Sequence, residues 1–483
     1  MSKGLLRDYL HDLSFQLFAV IAPFVTAPYV SRVLGSEGIG IFSYTHSIAL
    51  GFVLLASAGI NLYGQRTIAY LRDITIDKSN VFFSVWLIKI THSSVCCLVF
   101  YLLFCRGGSY SIIFQVLLIE VLATAFDVSW FYRGMGNFKL PTLCSIIPRA
   151  IGIIFIFCFV LNTDDTVIYA LCYVVPIMAG NLLLLIKIPS YVSIKHVQIK
   201  CGKHIAPISA LFLPQIVIEL YTVLDKVMLG ALADSISEAG FYEQAQKLVK
   251  VWLRFTISLS GIMLTRVSYA LSKGDKETST DHWKLSFRFL GFIGFPMVFG
   301  LAGIAYWFVP LFFGAEFENA VPLAIIMSPI ILIVGITNTI GHQYLLPMKK
   351  HKVFTGSVSC GAVVNLLLNL ILIPLYGAIG ACVATLCAEL TVACVQIFFS
   401  KSELHFIYYL RSTVKYIVAS VIMLALIITL GHIIDSGFER LAAQLTCGVI
   451  TYFVLIIIMK DTFVMRLLKT SLNSIRRNEE TSE

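Results

Sequence analysis

The chain has 483 residues, of which 58% are hydrophobic and only 13% are charged. A soluble globular domain does not need so much apolar surface, so the composition excludes that class and predicts a polytopic membrane protein. The net charge of +9 would indicate a nucleic-acid partner in a soluble chain. Here basic cytoplasmic loops explain it, and we expect no nucleic acid.

Windows of about 19 apolar residues predict about fourteen transmembrane helices. They lie near 11–31, 40–63, 81–104, 110–131, 144–161, 166–187, 205–230, 240–264, 286–309, 321–345, 354–373, 377–399, 412–432 and 440–459. If the N-terminus is cytoplasmic, the inner loops hold most of the Lys and Arg, and the outer loops carry mainly acidic residues. This positive-inside pattern places both termini in the cytoplasm.

The chain also repeats itself. The stretch Ser36–Phe42 resembles Ser237–Tyr242, and Trp130–Lys139 occupies the same place in its half as Gln343–Lys352. Equivalent joints six spans apart are typical of transporters built from two halves with a central site. The predicted domains are an N-terminal lobe (1–190), a basic cytoplasmic linker (191–204), a C-terminal lobe (205–400), two further helices (401–460) and a basic cytoplasmic tail (461–483).

No predicted loop exceeds about 25 residues, which leaves no room for a folded soluble domain. This argues against a membrane glycosyltransferase or polymerase with a catalytic loop, and we expect no enzymatic activity. Cysteines such as Cys96, Cys158 and Cys394 lie inside apolar runs without metal-ligand spacing. We therefore expect buried thiols and no metal site.

One predicted helix, over Gly240–Arg266, carries a polar stripe. Residues at spacings of three or four fall on one helix face: Glu243, Lys247, Lys250, Arg254, Ser258, Gly261 and Thr265. Arg254 lies about 21 Å along this helix, near the bilayer midplane. A cation facing lipid there costs on the order of 3 kcal/mol, so the stripe should face protein or water. Three cations on one face indicate a wet cavity that receives an anion.

These cations have a structural alternative, which is pairing with intramembrane carboxylates such as Glu219 or Asp225. We favour the cavity because Lys247, Lys250 and Arg254 share one face. Other basic side chains have two interpretations as well. Arg32 and Lys226 either rim the same cavity or snorkel to the interface, with equal weight. Lys89, Arg66 and Arg149 are expected near the cytoplasmic surface as anchors or headgroup contacts, and Arg149 is the best of them as a substrate contact.

Carboxylates inside predicted spans are candidates for ion coupling. Glu219 lies about 21 Å into the seventh span, and Asp225 follows it on the same helix. A buried carboxylate can bind and release a proton or join a sodium site, so H⁺ and Na⁺ are the candidate coupling ions. For Glu120 and Glu389 a structural role is at least as well supported as ion coupling. In that role the carboxylate is neutralised by a nearby cation or stays protonated.

Several segments resemble one known family across nearly the whole chain: Pro28–Gly35, Glu37–Tyr44, Gly59–Gly64, Trp130–Lys139, Asp225–Gly230 and Asn369–Ala381. They are similar to Wzx-type polysaccharide repeat-unit flippases, such as those for O-antigen. These flippases belong to the multidrug/oligosaccharidyl-lipid/polysaccharide exporter superfamily.

The resemblance implies an all-α fold with two six-helix lobes around a central cavity, related by a pseudo-twofold axis, plus two extra C-terminal helices. It implies a bacterial inner-membrane flippase that moves an undecaprenyl-diphosphate-linked oligosaccharide to the outer leaflet. Candidate partners are membrane lipids, a polysaccharide polymerase and chain-length proteins. It implies no ATP, and the sequence holds no Walker motif. A peptidoglycan-precursor flippase, a multidrug/cation antiporter and a membrane glycosyltransferase or ligase stay open as alternatives.

Overall fold

The computed structural model describes residues 3–465 without 58, 72–73, 194–196, 259, 402–403, 405, 436 and 462; it also leaves undescribed the side chains of 3–17, 19–20, 75, 211, 213–222, 261–262 and 406–412. Within these residues the α-helices are α1 (Lys3–Ser57), α2 (Ile60–Tyr70), α3 (Thr75–Phe100), α4 (Ser111–Phe126), α5 (Ser129–Gly134), α6 (Lys139–Phe159), α7 (Thr166–Ile186), α8 (Gly202–Leu232), α9 (Ser237–Ile257), α10 (Ser260–Ser272), α11 (Lys276–Phe313), α12 (Ala320–Met327), α13 (Ile330–Ile340), α14 (His351–Ser400), α15 (Phe406–Ile433) and α16 (Gly437–Ile458).

Ten helical stretches of the described chain are long and apolar enough to cross a bilayer. Two of them, Ile21–Tyr70 and His351–Ser400, have 50 residues each, about 75 Å of helix against a hydrocarbon core of about 30 Å. Each bends at a glycine, Gly35 or Gly377, so each can cross twice. The ten stretches can thus make twelve crossings in the described part of the chain, and α8 and α9, which are not among the ten, are the other two of the about fourteen predicted spans. The all-α polytopic fold is confirmed.

The two bends need glycine because their backbone is left-handed. The φ angle is 68° at Gly35 and 55° at Gly377, a region that side chains with a Cβ rarely adopt. At the second bend Glu238 Oε2 accepts a hydrogen bond from the backbone N–H of Ala378 at 2.8 Å. A carboxylate at the start of a helix compensates unpaired N–H groups and the helix dipole. The Glu238 carboxylate therefore fixes the start of the second half of α14.

Aspartates outside the membrane spans also hold the backbone just before two helices, and one of them caps its helix. Asp165 Oδ2, directly before α7, accepts hydrogen bonds from the backbone N–H groups of Leu161 and Asn162, both at 2.8 Å. These bonds lower the pKa of Asp165. Asp275 caps α11, and its hydrogen bonds from the Thr278 hydroxyl and backbone N–H lower its pKa in the same way. Short charged loops thus define where spans begin.

By compactness the chain forms two units. The first comprises Met1–Gln244 and Leu366–Ala381, and the second comprises Ala245–Asn365 and Cys382–Glu483. In the first unit α7 packs on α4 and α6, and α1 packs on α4 and α8. In the second unit α15 packs on α11 and α16. The predicted lobes 1–190 and 205–400 follow the internal repeat, not compactness, and that division stays a prediction.

The Trp130–Lys139 segment begins in the core of the first unit. Trp130, Phe131 and Tyr132 are buried and pack with residues of α2, α3 and α7. The Tyr132 hydroxyl donates to the carbonyl oxygen of Leu184 at 2.8 Å. A Cβ on Gly64 would overlap the Trp130 ring. These contacts fix α5 between three membrane helices.

The equivalent segment of the second unit is buried in a similar way. Tyr344 and Leu345 pack against Trp283. The Trp283 indole N–H donates to the carbonyl oxygen of Gln343 at 2.9 Å, and the Ser286 hydroxyl donates to Gln343 Oε1 at 2.6 Å. Equivalent positions of the predicted repeat therefore form a buried aromatic core in each unit.

Within the first unit the repeated Ser-Glu segments meet through glycines. A Cβ on Gly40 would overlap the carbonyl oxygen of Ile236, and a Cβ on Gly240 would overlap that of Ser36. Small residues let helix backbones approach closely in a membrane. Two segments predicted to be equivalent thus form a tight crossing of α1 and the start of α9.

We predict that Gly40→Ala destabilises the protein by about 1–3 kcal/mol because the new methyl group overfills the crossing. The matched control is Gly51→Ala on the same helix, where a Cβ meets nothing within 4 Å. That control should be neutral or stabilise by up to about 1 kcal/mol through better helix propensity. Thermal unfolding of the purified proteins in detergent measures both. Equal stability of the two variants would contradict the crossing.

Candidate functional site

The three predicted cations of the stripe lie on one uninterrupted helix, α9, in the second unit. The helical repeat sets Lys247, Lys250 and Arg254 within an arc of about 60° and a rise of about 10 Å. Lys250 and Arg254 are exposed, and Lys247 is partly buried. Lys250 Nζ donates to Gln246 Oε1 at 2.7 Å. The geometry gives α9 a short cationic face.

The stripe is shorter than predicted. One helix over Gly240–Arg266 was expected, but α9 ends at Ile257 and α10 begins at Ser260. The expectation of a single helix is therefore wrong, because a turn at Ser258 interrupts it. Gly261 and Thr265 belong to α10, so the polar positions after Arg254 do not continue the same helix face.

Lys226 and Glu243 form a buried ion pair in the first unit. The distance from Lys226 Nζ to Glu243 Oε2 is 2.8 Å, and the side chains are 11% and 18% exposed. The Ser43 hydroxyl donates to the same carboxylate oxygen at 3.3 Å. Lys226 was predicted either at a cavity rim or at the membrane interface, and in the structure its ion pair joins α8 to α9. The pair neutralises the acidic end of the predicted stripe.

Asp225 is buried beside this pair, with 1% of its surface exposed. The Tyr242 hydroxyl donates to Oδ2 at 2.7 Å, and the Asn369 side-chain amide donates to Oδ1 at 2.6 Å. Both carboxylate oxygens therefore have a donor from another helix. The other predicted coupling residue, Glu219, lies outside the described side chains. The ion-coupling role of both stays a prediction.

The remaining predicted contacts differ in their setting. Arg32 is exposed, and its Nη1 donates to the carbonyl oxygen of Pro28 at 3.1 Å on its own helix. Arg149 is half-buried and lines a cavity of about 380 Å³ in the first unit. It also lines a neighbouring cavity of about 250 Å³. Arg149 therefore lies on the wall of both of these cavities.

The larger cavity lies among α1, α4, α5, α6 and α7. Its charged and polar lining includes Glu120, Asp127, Arg133, Tyr173 and Asn181 together with Arg149. Carboxylates and guanidinium groups around one cavity allow it to bind an anion, exchange a cation, or change its net charge. Of the acidic residues that line this cavity, only Glu120 was considered as a candidate from the sequence.

Lys89 is where the structure departs most from expectation. We expected an anchor near the cytoplasmic surface, but its side chain is fully buried. Its Nζ donates to Asn61 Oδ1 at 2.8 Å, to the Asp127 carbonyl oxygen at 2.6 Å and to Asp127 Oδ2 at 3.0 Å. Asp127 Oδ1 in turn accepts from the backbone N–H of Ser129 at 2.9 Å. The expectation for Lys89 was wrong because its partner is 38 residues away.

A signal for this pair existed in the sequence. Lys89 lies about 21 Å from the start of α3, inside the apolar run from Phe82 to Ile90. An ionisable residue at that depth normally has a buried partner. The sequence did not indicate which carboxylate this was, since Asp127 lies past the end of α4.

Comparison with known proteins gives consistent matches. The family model described as "Polysaccharide biosynthesis protein" matches residues 5–264. A curated relative from Escherichia coli strain K12, described as "Putative O-antigen transporter", is 24% identical over 83% of this chain and 97% of its own length. A solved structure of the lipid II flippase MurJ in an inward closed conformation has 16% identity, with a TM-score of 0.66 over 94% of this chain and 98% of its own. An inward-facing multidrug resistance MATE transporter of the MOP superfamily has 11% identity, with a TM-score of 0.64 over 80% and 94%.

We predict that Lys89→Met destabilises the protein by about 3–5 kcal/mol, because Asp127 would keep a buried charge without its partner. Adding Asp127→Asn should recover part of this loss. The control is Lys284→Met, which breaks an exposed ion pair with Asp281 and should change stability by less than about 0.5 kcal/mol. Unfolding in detergent is the measurement, and a Lys89 variant as stable as the control would refute the assignment.

Proposed function

The chain belongs to the polysaccharide biosynthesis protein family, and from this premise we propose that it is a flippase for undecaprenyl-diphosphate-linked oligosaccharides. The cargo is an O-antigen repeat unit or a related surface glycan. It moves from the cytoplasmic to the outer leaflet of a bacterial inner membrane. The observation that carries the proposal is the cationic face of α9 within a multi-pass helical fold. A substrate with a diphosphate headgroup accounts for these cations.

The diphosphate is the part of the substrate that cannot cross hydrocarbon unaided. Lys and Arg can replace water around its oxygens, and Arg can hold two oxygens at once. In this proposal Lys247, Lys250 and Arg254 bind the diphosphate, and Arg149 and Arg32 contact the headgroup or the glycan. Lys226 can contribute only when it separates from Glu243, because the two form a buried pair.

The lipid tail needs an apolar path, and the second unit has a groove that fits it. The groove has a volume of about 320 Å³, and its lining includes Phe292, Met297, Gly300 and Tyr452. Trp252, which lies on α9 between Lys250 and Arg254 in sequence, lines the same groove. We propose that part of the polyprenyl chain lies in this groove while the headgroup is at the cationic face. Because the tail comes from a bilayer that is itself apolar, we expect the groove to position the tail by packing and to add little hydrophobic free energy.

Transport is proposed to proceed by alternating access, with H⁺ or Na⁺ as the coupling ion and Glu219 and Asp225 as coupling residues. The positive-inside pattern of the loops supports a cytoplasmic position for both termini. A peptidoglycan-precursor flippase is the second candidate, because the fold matches that of a lipid II flippase over most of the chain. Both candidates carry a polyprenyl diphosphate, so the glycan distinguishes them.

We predict that deleting the gene leaves the lipid-linked oligosaccharide on the cytoplasmic leaflet and removes the surface polysaccharide. Lys250→Glu and Arg254→Glu should each fail to restore the polysaccharide, because a carboxylate repels the diphosphate. Lys276→Glu, at an exposed helix start, is the matched charge-reversal control and should restore it. Glycolipid analysis and immunoblots for expression report both effects. Normal surface polysaccharide in the deletion strain would overturn the function, and loss of viability would favour the peptidoglycan precursor.

We further predict that Gly300→Phe slows export with unchanged expression, because the ring fills the apolar groove. A Cβ at Gly300 makes only an ordinary contact, 3.6 Å from Met423 Cε. Val421→Phe adds the same ring to α15 at an exposed position and serves as the control. The rate at which newly made polysaccharide reaches the surface is the readout. Equal export rates for both variants would contradict the proposal that the lipid tail binds in this groove.

A further inference from the structure

His46 and Glu120 form a close pair inside the first unit. His46 Nε2, on α1, lies 3.2 Å from Glu120 Oε2, on α4, and the side chains are 14% and 7% exposed. Glu120 is about 14 Å from the start of α4, roughly midway through a hydrocarbon core of about 30 Å. Glu120 also lines the 380 Å³ cavity. An imidazole and a carboxylate therefore meet at membrane depth beside enclosed space.

The rings around the pair hold the imidazole in place. Phe42 stacks on His46 with ring centroids 5.1 Å apart, and Tyr173 meets it edge-on at 4.9 Å. Neither His46 Nε2 nor Glu120 Oε2 has a directed hydrogen bond to any described part of the chain. The pair is close in space but its hydrogen-bonding capacity is not used up.

Other charged and titratable groups lie near this pair or line the same cavity. Tyr173 on α7 lies within electrostatic reach of Glu120, Arg149 and Glu243, and Tyr169 on α7 is within reach of Glu243. Glu243 is already neutralised by Lys226. Asp127 and Arg133 line the same cavity, where Asp127 is paired with Lys89. Of the two described carboxylates that line this cavity, Glu120 is thus paired with a histidine, whereas Asp127 is paired with a lysine.

This difference has a chemical consequence. Lysine stays charged at physiological pH, whereas histidine is the side chain that ordinarily changes charge between about pH 5 and 8. With a neutral imidazole the pair has one negative charge, and with one added proton it is neutral overall. A net charge buried at membrane depth is costly, so the two states differ strongly in how they act on neighbouring cations.

We propose that His46 and Glu120 form a proton-binding site that opens on the first-unit cavity and loads one proton per transport cycle. The proton comes from water in the cavity and is shared between His46 Nε2 and Glu120 Oε2. The empty site attracts the Arg149 guanidinium, and the loaded site releases it to an anionic headgroup. This last step rests on the proposed function; proton binding itself does not.

The site is distinct from the coupling residues expected on α8. Asp225 already accepts hydrogen bonds on both oxygens from Tyr242 and Asn369. Proton exchange at His46 and Glu120 requires no break in that network. Proton coupling would then be located in the first unit, next to a predicted substrate contact.

The test is infrared difference spectroscopy of the purified full-length protein in lipid, titrated between about pH 5 and 8. The expected result is a carboxyl band and an imidazole band that change together. Glu120→Gln should remove the carboxyl component that changes together with an imidazole, and His46→Gln should remove that imidazole component, while the other nine histidines of the chain keep their own bands. Glu120→Asp should keep a carboxyl change at a shifted frequency, which separates loss of the proton site from misfolding. Glu318→Gln and His92→Gln, at exposed positions, should keep both changes.

Spectra of Glu120→Gln and His46→Gln that match the wild type would overturn the proposal. The experiment needs no transported lipid, so it is independent of the proposed function. If the bands behave as expected but the deletion strain has normal surface polysaccharide, the proton site stands and the proposed cargo fails. If the deletion phenotype holds but neither band depends on these residues, the proposed function stands and this site fails.

Discussion

A charge at membrane depth must have a partner or reach water, and this constraint organises the structure. Lys89 satisfies it with Asp127 and Asn61, and Lys226 satisfies it with Glu243. Each pair joins two different helical segments, so the ion pairs also fix helix positions. Breaking such a pair is far more costly than forming it is favourable. The cations on α9 are different because two of the three are exposed.

Close contact between helix backbones is the second feature that stabilises the fold. In a membrane there is little hydrophobic drive between helices, so glycines that allow backbones to touch contribute strongly. The crossing of Gly40 and Gly240 uses this effect where the two repeated segments meet. Next to it, Ser43, Glu243 and Lys226 form a polar cluster. Steric fit and charge pairing therefore act at the same place in the first unit.

Much of the fold was predictable because a membrane helix requires a long apolar segment, which can be recognised in the sequence. All fourteen predicted spans correspond to helices, and the segments after the first and eleventh spans break at glycines. The cationic face of α9 was also predictable, since helical periodicity depends on local spacing alone. The break between α9 and α10 was missed, because neither a proline nor a strong turn signal marks Ser258 and Leu259.

It was harder to predict which charged side chains pair with each other than to predict which helix each of them lies on. Lys89 and Asp127, and His46 and Glu120, are separated by 38 and 74 residues, and periodicity carries no information about such pairings. Lys226 and Glu243 lie on successive helices, yet we interpreted one as a rim cation and the other as part of a stripe. A fold built from packed helices decides which charges meet, and only the three-dimensional arrangement reveals it.

The central claim is that the cationic face of α9 recognises a polyprenyl diphosphate. Native mass spectrometry of the purified protein with undecaprenyl diphosphate, and with undecaprenol as the uncharged lipid, tests it most directly. We expect undecaprenyl diphosphate to bind at least about tenfold more tightly than undecaprenol, a difference of about 1.4 kcal/mol. Replacing Lys247, Lys250 and Arg254 together by Gln should remove this preference. Equal binding of the two lipids, or a preference that survives the triple substitution, would contradict it.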